Sequence, residues 1–154
     1  MINGKEWMAE NYKRQIGTYY NPNNNASNVA TYGLLYTWAT ATSSNFCPTG
    51  WRLPYKVDFD NLLAYAGSDN STRSQNLRAK SFSSGLDTFA FGALPAGYYF
   101  SGSYYIFGSY ASFWSSTEYD SSLAYYLFVN SSNAYMSNND ETYGYSVRCL
   151  KDSN

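Results

Sequence analysis

The chain is predicted to fold as one α+β domain, with helices early and short antiparallel strands late. Three observations carry this expectation. Apolar residues recur at helical spacing twice before Gly67 and then lose that period. From Phe89 onward the apolar runs are short and are separated by Gly and Ser. Aromatic residues make up 20% of the 154 positions and charged residues only 14%, a composition that folds rather than staying disordered. Because helical and extended segments are segregated along the chain, an α+β arrangement is expected rather than a βαβ sheet.

Taken in order, residues 2–11 read as a short strand and turn through Asn3-Gly4 and Trp7-Met8. Residues 21–28 form an Asn-rich loop around Pro22. A first helix is expected over 30–40, where Tyr32, Leu35, Tyr36 and Ala39 fall on one stripe. A second is expected over 55–66 from Phe59, Leu62, Leu63 and Ala66, with Pro54 at its start and Gly67 at its end. Trp38 and Trp51 are read as core between these helices. Residues 68–84 are polar and read as loop with a short turn. Strands follow at 89–94, 98–100, 104–107, 113–115, 124–130, 134–137 and 145–150.

Residues 115–146 stand out for function. Of these 32 positions, 18 are Tyr, Ser or Asn, and none is Lys, Arg or His. Tyr gives a large stiff amphipathic surface at low entropy cost, and Ser and Asn give adaptable hydrogen bonds, as in antibody loops. No Lys or Arg occurs between Lys80 and Arg148, so a phosphate backbone finds no basic footprint and nucleic acid is not an expected partner. In 124–130, Tyr125, Leu127 and Val129 share one face and Tyr126, Phe128 and Asn130 the other. With the first set on the core, Tyr126 and Phe128 are expected to be exposed. Strict alternation puts Tyr143 and Tyr145 on the core side with Val147 and Cys149. Their exposure therefore requires a late strand start or a bulge near Gly144.

Catalytic chemistry is poorly supplied. The chain has no His, which removes Ser–His–Asp and Cys–His arrangements. No glycine-rich phosphate cradle occurs, and no cofactor is expected. Asp58 and Asp60 read as solvated. Asp140 and Glu141 beside Asn138 and Asn139 read as a charged loop rather than a Ca²⁺ site, so no metal is expected. No apolar run approaches the ~20 residues that span a bilayer, and no leader precedes Trp7. Cys47 and Cys149 fit two free buried thiols or one long-loop disulfide.

A series of ordered motifs resembles the Fibrobacter succinogenes major paralogous domain across nearly the whole chain. The motifs are Trp7-Met8-Ala9-Glu10-Asn11, Tyr32-Gly33-Leu34-Leu35-Tyr36-Thr37-Trp38 and Cys47-Pro48-Thr49-Gly50-Trp51-Arg52-Leu53-Pro54. Phe91-Gly92-Ala93-Leu94-Pro95-Ala96-Gly97, Phe113-Trp114-Ser115-Ser116-Thr117-Glu118 and Ser146-Val147-Arg148-Cys149 complete the set. The chain departs from the pattern at Tyr55, where a capping Thr or Ser is common, and at Phe82, where Trp is common. The resemblance implies one C-type-lectin-like domain over 1–154, two helices packed on short antiparallel strands with long loops, and adjacent termini. It also implies a Cys47–Cys149 disulfide, and with it an oxidising setting. It imports no catalysis, because the related formylglycine-generating enzyme needs further cysteines that this chain lacks.

Glu118 to Asn130 also resembles the variable region of proteins diversified by retroelements. The positions that fit are Tyr119, Asp120, Ser122, Leu123, Tyr126, Phe128, Asn130, Tyr135, Ser137, Asn139, Tyr143 and Tyr145. The expected function is a non-enzymatic binding domain that recognises a protein or glycan on a target surface. Tyr119, Tyr126, Phe128 and Tyr135 are the expected anchors, displayed outside a bacterial cell or on a virion. The competing expectation is a structural module of a bacterial surface protein without a dedicated ligand site.

Overall fold

A computed structural model describes residues 1–152; the last two residues of the expected 1–154 domain lie outside the described residues. In chain order the elements are β1 (Tyr19–Tyr20), α1 (Val29–Tyr32), β2 (Leu35–Tyr36), α2 (Trp38–Ala41), β3 (Trp51–Arg52), α3 (Lys56–Ala66) and α4 (Asn70–Leu77). The strand-rich half adds β4 (Tyr98–Phe100), β5 (Ser103–Tyr105), β6 (Ala111–Glu118), β7 (Leu123–Val129), β8 (Ala134–Asp140) and β9 (Leu150–Lys151). Among the described residues the architecture is α+β, with few helices and four small antiparallel sheets: β1–β2, β3–β9, β4–β5 and the three-stranded β6–β7–β8.

The expected first helix is corrected. Its stripe does not form one helical face: Ala39 is exposed, Leu35 and Tyr36 lie in a strand, and the helix stops at Gly33, whose φ of 70° lies in the left-handed region. The chain crosses Asn11 so closely there that a Cβ would lie 2.7 Å from Asn11 Cβ. Leu35 and Tyr36 therefore extend into β2, and a separate short helix follows. The second expected helix is present, without a hydroxyl cap at Tyr55. Asp58 Oδ2 instead accepts the Tyr55 N–H at 2.8 Å, and Thr117 Oγ1 of β6 accepts the Lys56 N–H at 2.9 Å. Asp58 is thus no solvated residue; it also holds Arg52 Nη1 at 2.7 Å.

Residues 70–77, expected as loop, form α4, because the Asp69 carboxylate caps it by accepting the Thr72 N–H at 2.8 Å. Residues 89–94 are turns rather than a strand, and contribute only an Arg78–Ala93 bridge. Residues 145–149 make isolated bridges and single hydrogen bonds rather than the expected long strand over 145–150, and only Leu150 enters a strand, β9. They thread between Tyr36 of β2, Phe113 of β6 and the N-terminal segment, where Met8 N–H donates to the Cys149 carbonyl at 3.1 Å. The two ends of the chain meet where Trp7 bridges Leu150.

The β6–β7–β8 sheet divides two cores. On one side α3 and α4 bury Phe59, Leu62, Leu63 and Leu77 against Phe113, Leu127 and Val129. On the other, Leu34, Tyr36, Phe46 and Leu53 surround Trp114, Tyr145 and Val147. Trp38 and Trp51 pack at the edge of this second core rather than between the helices. Cys47 and Cys149 are bonded, with Cα atoms 6.1 Å apart across a sequence separation of 102. A cross-link that long limits the unfolded chain by on the order of 4 kcal/mol.

Arg148 is a second staple. It is fully buried, and it donates to Asn11 Oδ1 at 2.7 Å, Gly92 O at 2.9 Å, Met8 O at 3.2 Å and Phe91 O. Its guanidinium also lies over the Phe91 and Phe113 rings, at 4.9 and 5.5 Å. Loss of water lowers its pKa to about 10, partly offset by the charges of Asp87 and Glu10. Among the described residues it has no carboxylate in ion-pair contact.

Candidate functional site

Register builds the site. β7 and β8 pair Ala124 with Asn139, Tyr126 with Ser137 and Phe128 with Tyr135, so all six side chains share the sheet face turned away from α3. Five of the expected positions are therefore gathered into one patch: Tyr126, Phe128, Tyr135, Ser137 and Asn139. The opposite face carries Leu127 opposite Met136 and Val129 opposite Ala134, and is closed by the helices.

The expected exposure of Tyr126 and Phe128 needs correction. Phe128 is only 7% exposed, edge-on to Tyr110 at 4.8 Å and tilted against Tyr135 at 5.1 Å. Tyr126 is half-buried, 4.6 Å from Tyr145 and 6.3 Å from Trp114. Tyr145 is buried: it bridges Tyr36 on the core side, as strict alternation predicts, and its hydroxyl accepts from Asn139 Nδ2 at 3.0 Å. Phe128 and Tyr145 are the floor of the patch rather than its contact surface.

The β4–β5 hairpin, which sequence reasoning left out of the site, covers the Tyr145 part of the floor, while Tyr110 and Tyr135 pack on Phe128. Tyr98 pairs with Tyr105 and stacks on it at 5.2 Å; it also meets Tyr143 at 5.6 Å and Tyr145 at 6.1 Å. Phe100 stacks on Tyr143 at 4.1 Å. On the hairpin's other side Tyr99 stacks on Tyr20 at 3.5 Å. Gly144 permits this approach, since a Cβ there would lie 3.1 Å from both Tyr20 and Tyr99. The signal was in the sequence: the rings of Tyr98-Tyr99-Phe100 and Tyr104-Tyr105 flank Ser101-Gly102, a hairpin with rings on both faces.

Tyr143 is half-open and Tyr135 and Tyr105 are exposed, so the patch is a ring-lined surface with a closed base. Burial raises the pKa of Tyr126, opposed by hydrogen bonds from Tyr145 and Ser137. Burial also raises Tyr98, reinforced by the neighbouring Tyr143 and Tyr105, and raises Tyr145 most strongly. These phenols stay neutral near pH 7. They can stack and donate hydrogen bonds, and they are poor general bases.

The remaining expected positions lie elsewhere. Tyr119 packs edge-on against Tyr125 at 5.6 Å, and the Tyr125 ring takes the Lys56 ammonium at 5.2 Å, on the helix-facing side. Asp120 Oδ1 accepts the N–H groups of Ser122 and Leu123, at 2.8 and 3.0 Å, and Ser122 Oγ at 3.2 Å. Asn130 Oδ1 accepts from Ser132 N and Asn133 N, at 2.9 and 2.8 Å. Asp120, Ser122 and Asn130 thus shape the two strand turns. Leu123 is half-buried opposite Asp140.

Asp140 Oδ1 accepts from the Thr142 N–H and hydroxyl, at 2.8 and 2.6 Å, which lowers its pKa. Glu141 differs. One carboxylate oxygen is buried without a hydrogen-bond partner. Desolvation raises its pKa, helped by Glu118, Asp120 and Asp140. Among the described residues no three Asp, Glu, Cys or His side chains converge to hold a metal, and no helix is long and apolar enough to cross a membrane.

Residues 1–151 match the family model of the Fibrobacter succinogenes major domain. No curated protein and no solved structure matches the chain. With nearly its full length matched, the chain belongs to that domain family.

Proposed function

We propose that this member of the Fibrobacter succinogenes major domain family is a non-enzymatic binding domain. Its tyrosine-rich face would grip a protein or glycan on a target surface, on a C-type-lectin-like scaffold. The observation that carries the reading is the β7–β8 register, which collects Tyr126, Tyr135, Ser137 and Asn139 beside the hairpin rings of Tyr98 and Tyr105. Rings already held by ring neighbours lose little freedom on docking, so more of the contact energy remains as affinity. The neutral phenols supply stacking and hydrogen bonds, the chemistry of recognition rather than turnover.

The same positions support diversification by a retroelement, since the candidate varied residues on β7 and β8 sit on one face while helix-facing neighbours form a core. The disulfide supports an oxidising setting, on a bacterial surface or a virion. The test replaces Tyr105, Tyr126 and Tyr135 together by Ser and measures attachment of the purified domain across a panel of bacterial and host cells by flow cytometry. Attachment of the native domain to at least one cell type, lost in the triple variant with an unchanged fold, is the expected result.

A structural module without a ligand site is the second reading, favoured by one observation. Asp120 and Asn130 are consumed by turns, and Phe128 and Tyr145 by packing, so part of the unusual composition serves the fold. Equal attachment of native and triple-variant domains would favour it.

A further inference from the structure

We propose that the groove beside the Cys47–Cys149 bridge is a second binding site, for a saccharide carrying a uronic acid carboxylate. The site is separate from the tyrosine face and does not depend on the reading given to that face. The groove encloses about 770 Å³, within the size range of small-ligand sites. Two guanidiniums, Arg14 and Arg52, line it, and no Asp or Glu does.

The two arginines are not equivalent. Arg52 is already neutralised by Asp58 at 2.7 Å and Asp152 at 3.2 Å, and it lies 4.2 Å over the Tyr55 ring. Arg14 is held by backbone alone, with Nη1 donating to the carbonyls of Phe46 at 3.1 Å and of Asn45. Among the described residues it makes no ion pair. Arg14 is exposed and Nη1 anchors it, which leaves Nε and Nη2 without a hydrogen bond among the described residues, the pair of donors with which a guanidinium takes a carboxylate.

The half-buried indoles of Trp38 and Trp51 also line the groove, and a Trp38 Nε1–Ser115 O hydrogen bond of 2.8 Å fixes the first of them. Aromatic faces stack on the C–H faces of sugar rings, and rim groups such as Ser43 and Asn45 offer hydrogen bonds to hydroxyls. The single unpaired guanidinium, without a long helix N-terminus or a glycine cradle beside it, suits one carboxylate better than a polyphosphate. Arg14 and Trp51 also line an adjoining groove along Trp7 and Tyr12, where the Glu10–Lys13 pair adds one charge of each sign, so a longer saccharide has room to continue.

The experiment titrates the full chain with trigalacturonate and with maltotriose and follows the tryptophan indole N–H signals by NMR. Trigalacturonate is expected to shift Trp38 and Trp51 saturably and to bind at least about tenfold more tightly than maltotriose. Arg14→Met should weaken it about tenfold or more, and Arg14→Lys, which keeps the charge but loses the fork, should weaken it less. Tyr105→Ser with Tyr135→Ser should leave the titration unchanged, which separates this site from the tyrosine face. Equal responses to the two sugars, an Arg14→Met variant that binds like the native chain, or no shift up to about 10 mM ligand would each overturn the proposal.

Discussion

Strand β7 has two faces, and they are finished differently. Toward α3 and α4, Leu127 and Val129 are fully buried in an apolar core. Toward the hairpin, Tyr126 and Phe128 lie on aromatic neighbours, beside a rim of half-open and exposed rings. The first face is sealed by aliphatic and aromatic groups except at half-buried Tyr125, whose ring takes the Lys56 ammonium. The second ends in hydroxyls that need water or a partner. The difference separates residues that hold the frame from residues the frame presents.

The sharpest way to break this comparison acts on the frame. Arg148→Ala removes two hydrogen bonds to the buried acceptors Asn11 Oδ1 and Phe91 O, two to the part-buried carbonyls of Met8 and Gly92, and two ring contacts. Each orphaned buried acceptor costs roughly 1–3 kcal/mol, so a loss of about 4 kcal/mol or more is expected in urea denaturation. A change under about 1 kcal/mol would show that the staple is dispensable.

The two faces can then be compared directly. Leu127→Ala on the sealed face should cost about 3 kcal/mol. Tyr135→Ser on the open face, where the ring is 41% exposed, should change stability by no more than about 0.5 kcal/mol. Similar costs for both would erase the distinction.

The smallest effect is electrostatic. The folded-state pKa of Glu141 is raised above its ordinary 4.5 by desolvation first and by neighbouring carboxylates second. Between 4.5 and that raised value the folded chain keeps a proton that the unfolded chain has released, so stability falls as pH rises through this window. Glu141→Gln should therefore raise the melting temperature at pH 7 and give no gain at pH about 4. A lower melting temperature at pH 7 would mean that the buried oxygen has a stabilising partner.

Much of this was legible in the sequence. The 3.6-residue period marked α3, and the alternation in β7 sorted its side chains onto the correct faces. What the pattern could not reveal was what covers each face: alternation fixes direction, whereas burial of Phe128 and Tyr145 depends on Tyr98, Tyr110 and Trp114, distant in sequence. The broken first helix shows the same limit, because Tyr32 and Leu35 have helical spacing in the sequence while Gly33 turns the backbone between them to pass Asn11. The α4 helix was hidden by a polar sequence that an Asp69 cap and one buried Leu77 suffice to order. Asp120 and Asn130 looked like contact residues because turn formers and paratope residues share a composition.

Comparing this locus across related genomes asks most directly whether the open face is what selection varies. The account predicts substitutions concentrated at Tyr126, Tyr135, Ser137, Asn139 and Tyr143, with Leu127, Val129, Ala134 and Met136 held apolar. Differences spread evenly over both sides of β7 and β8 would contradict it.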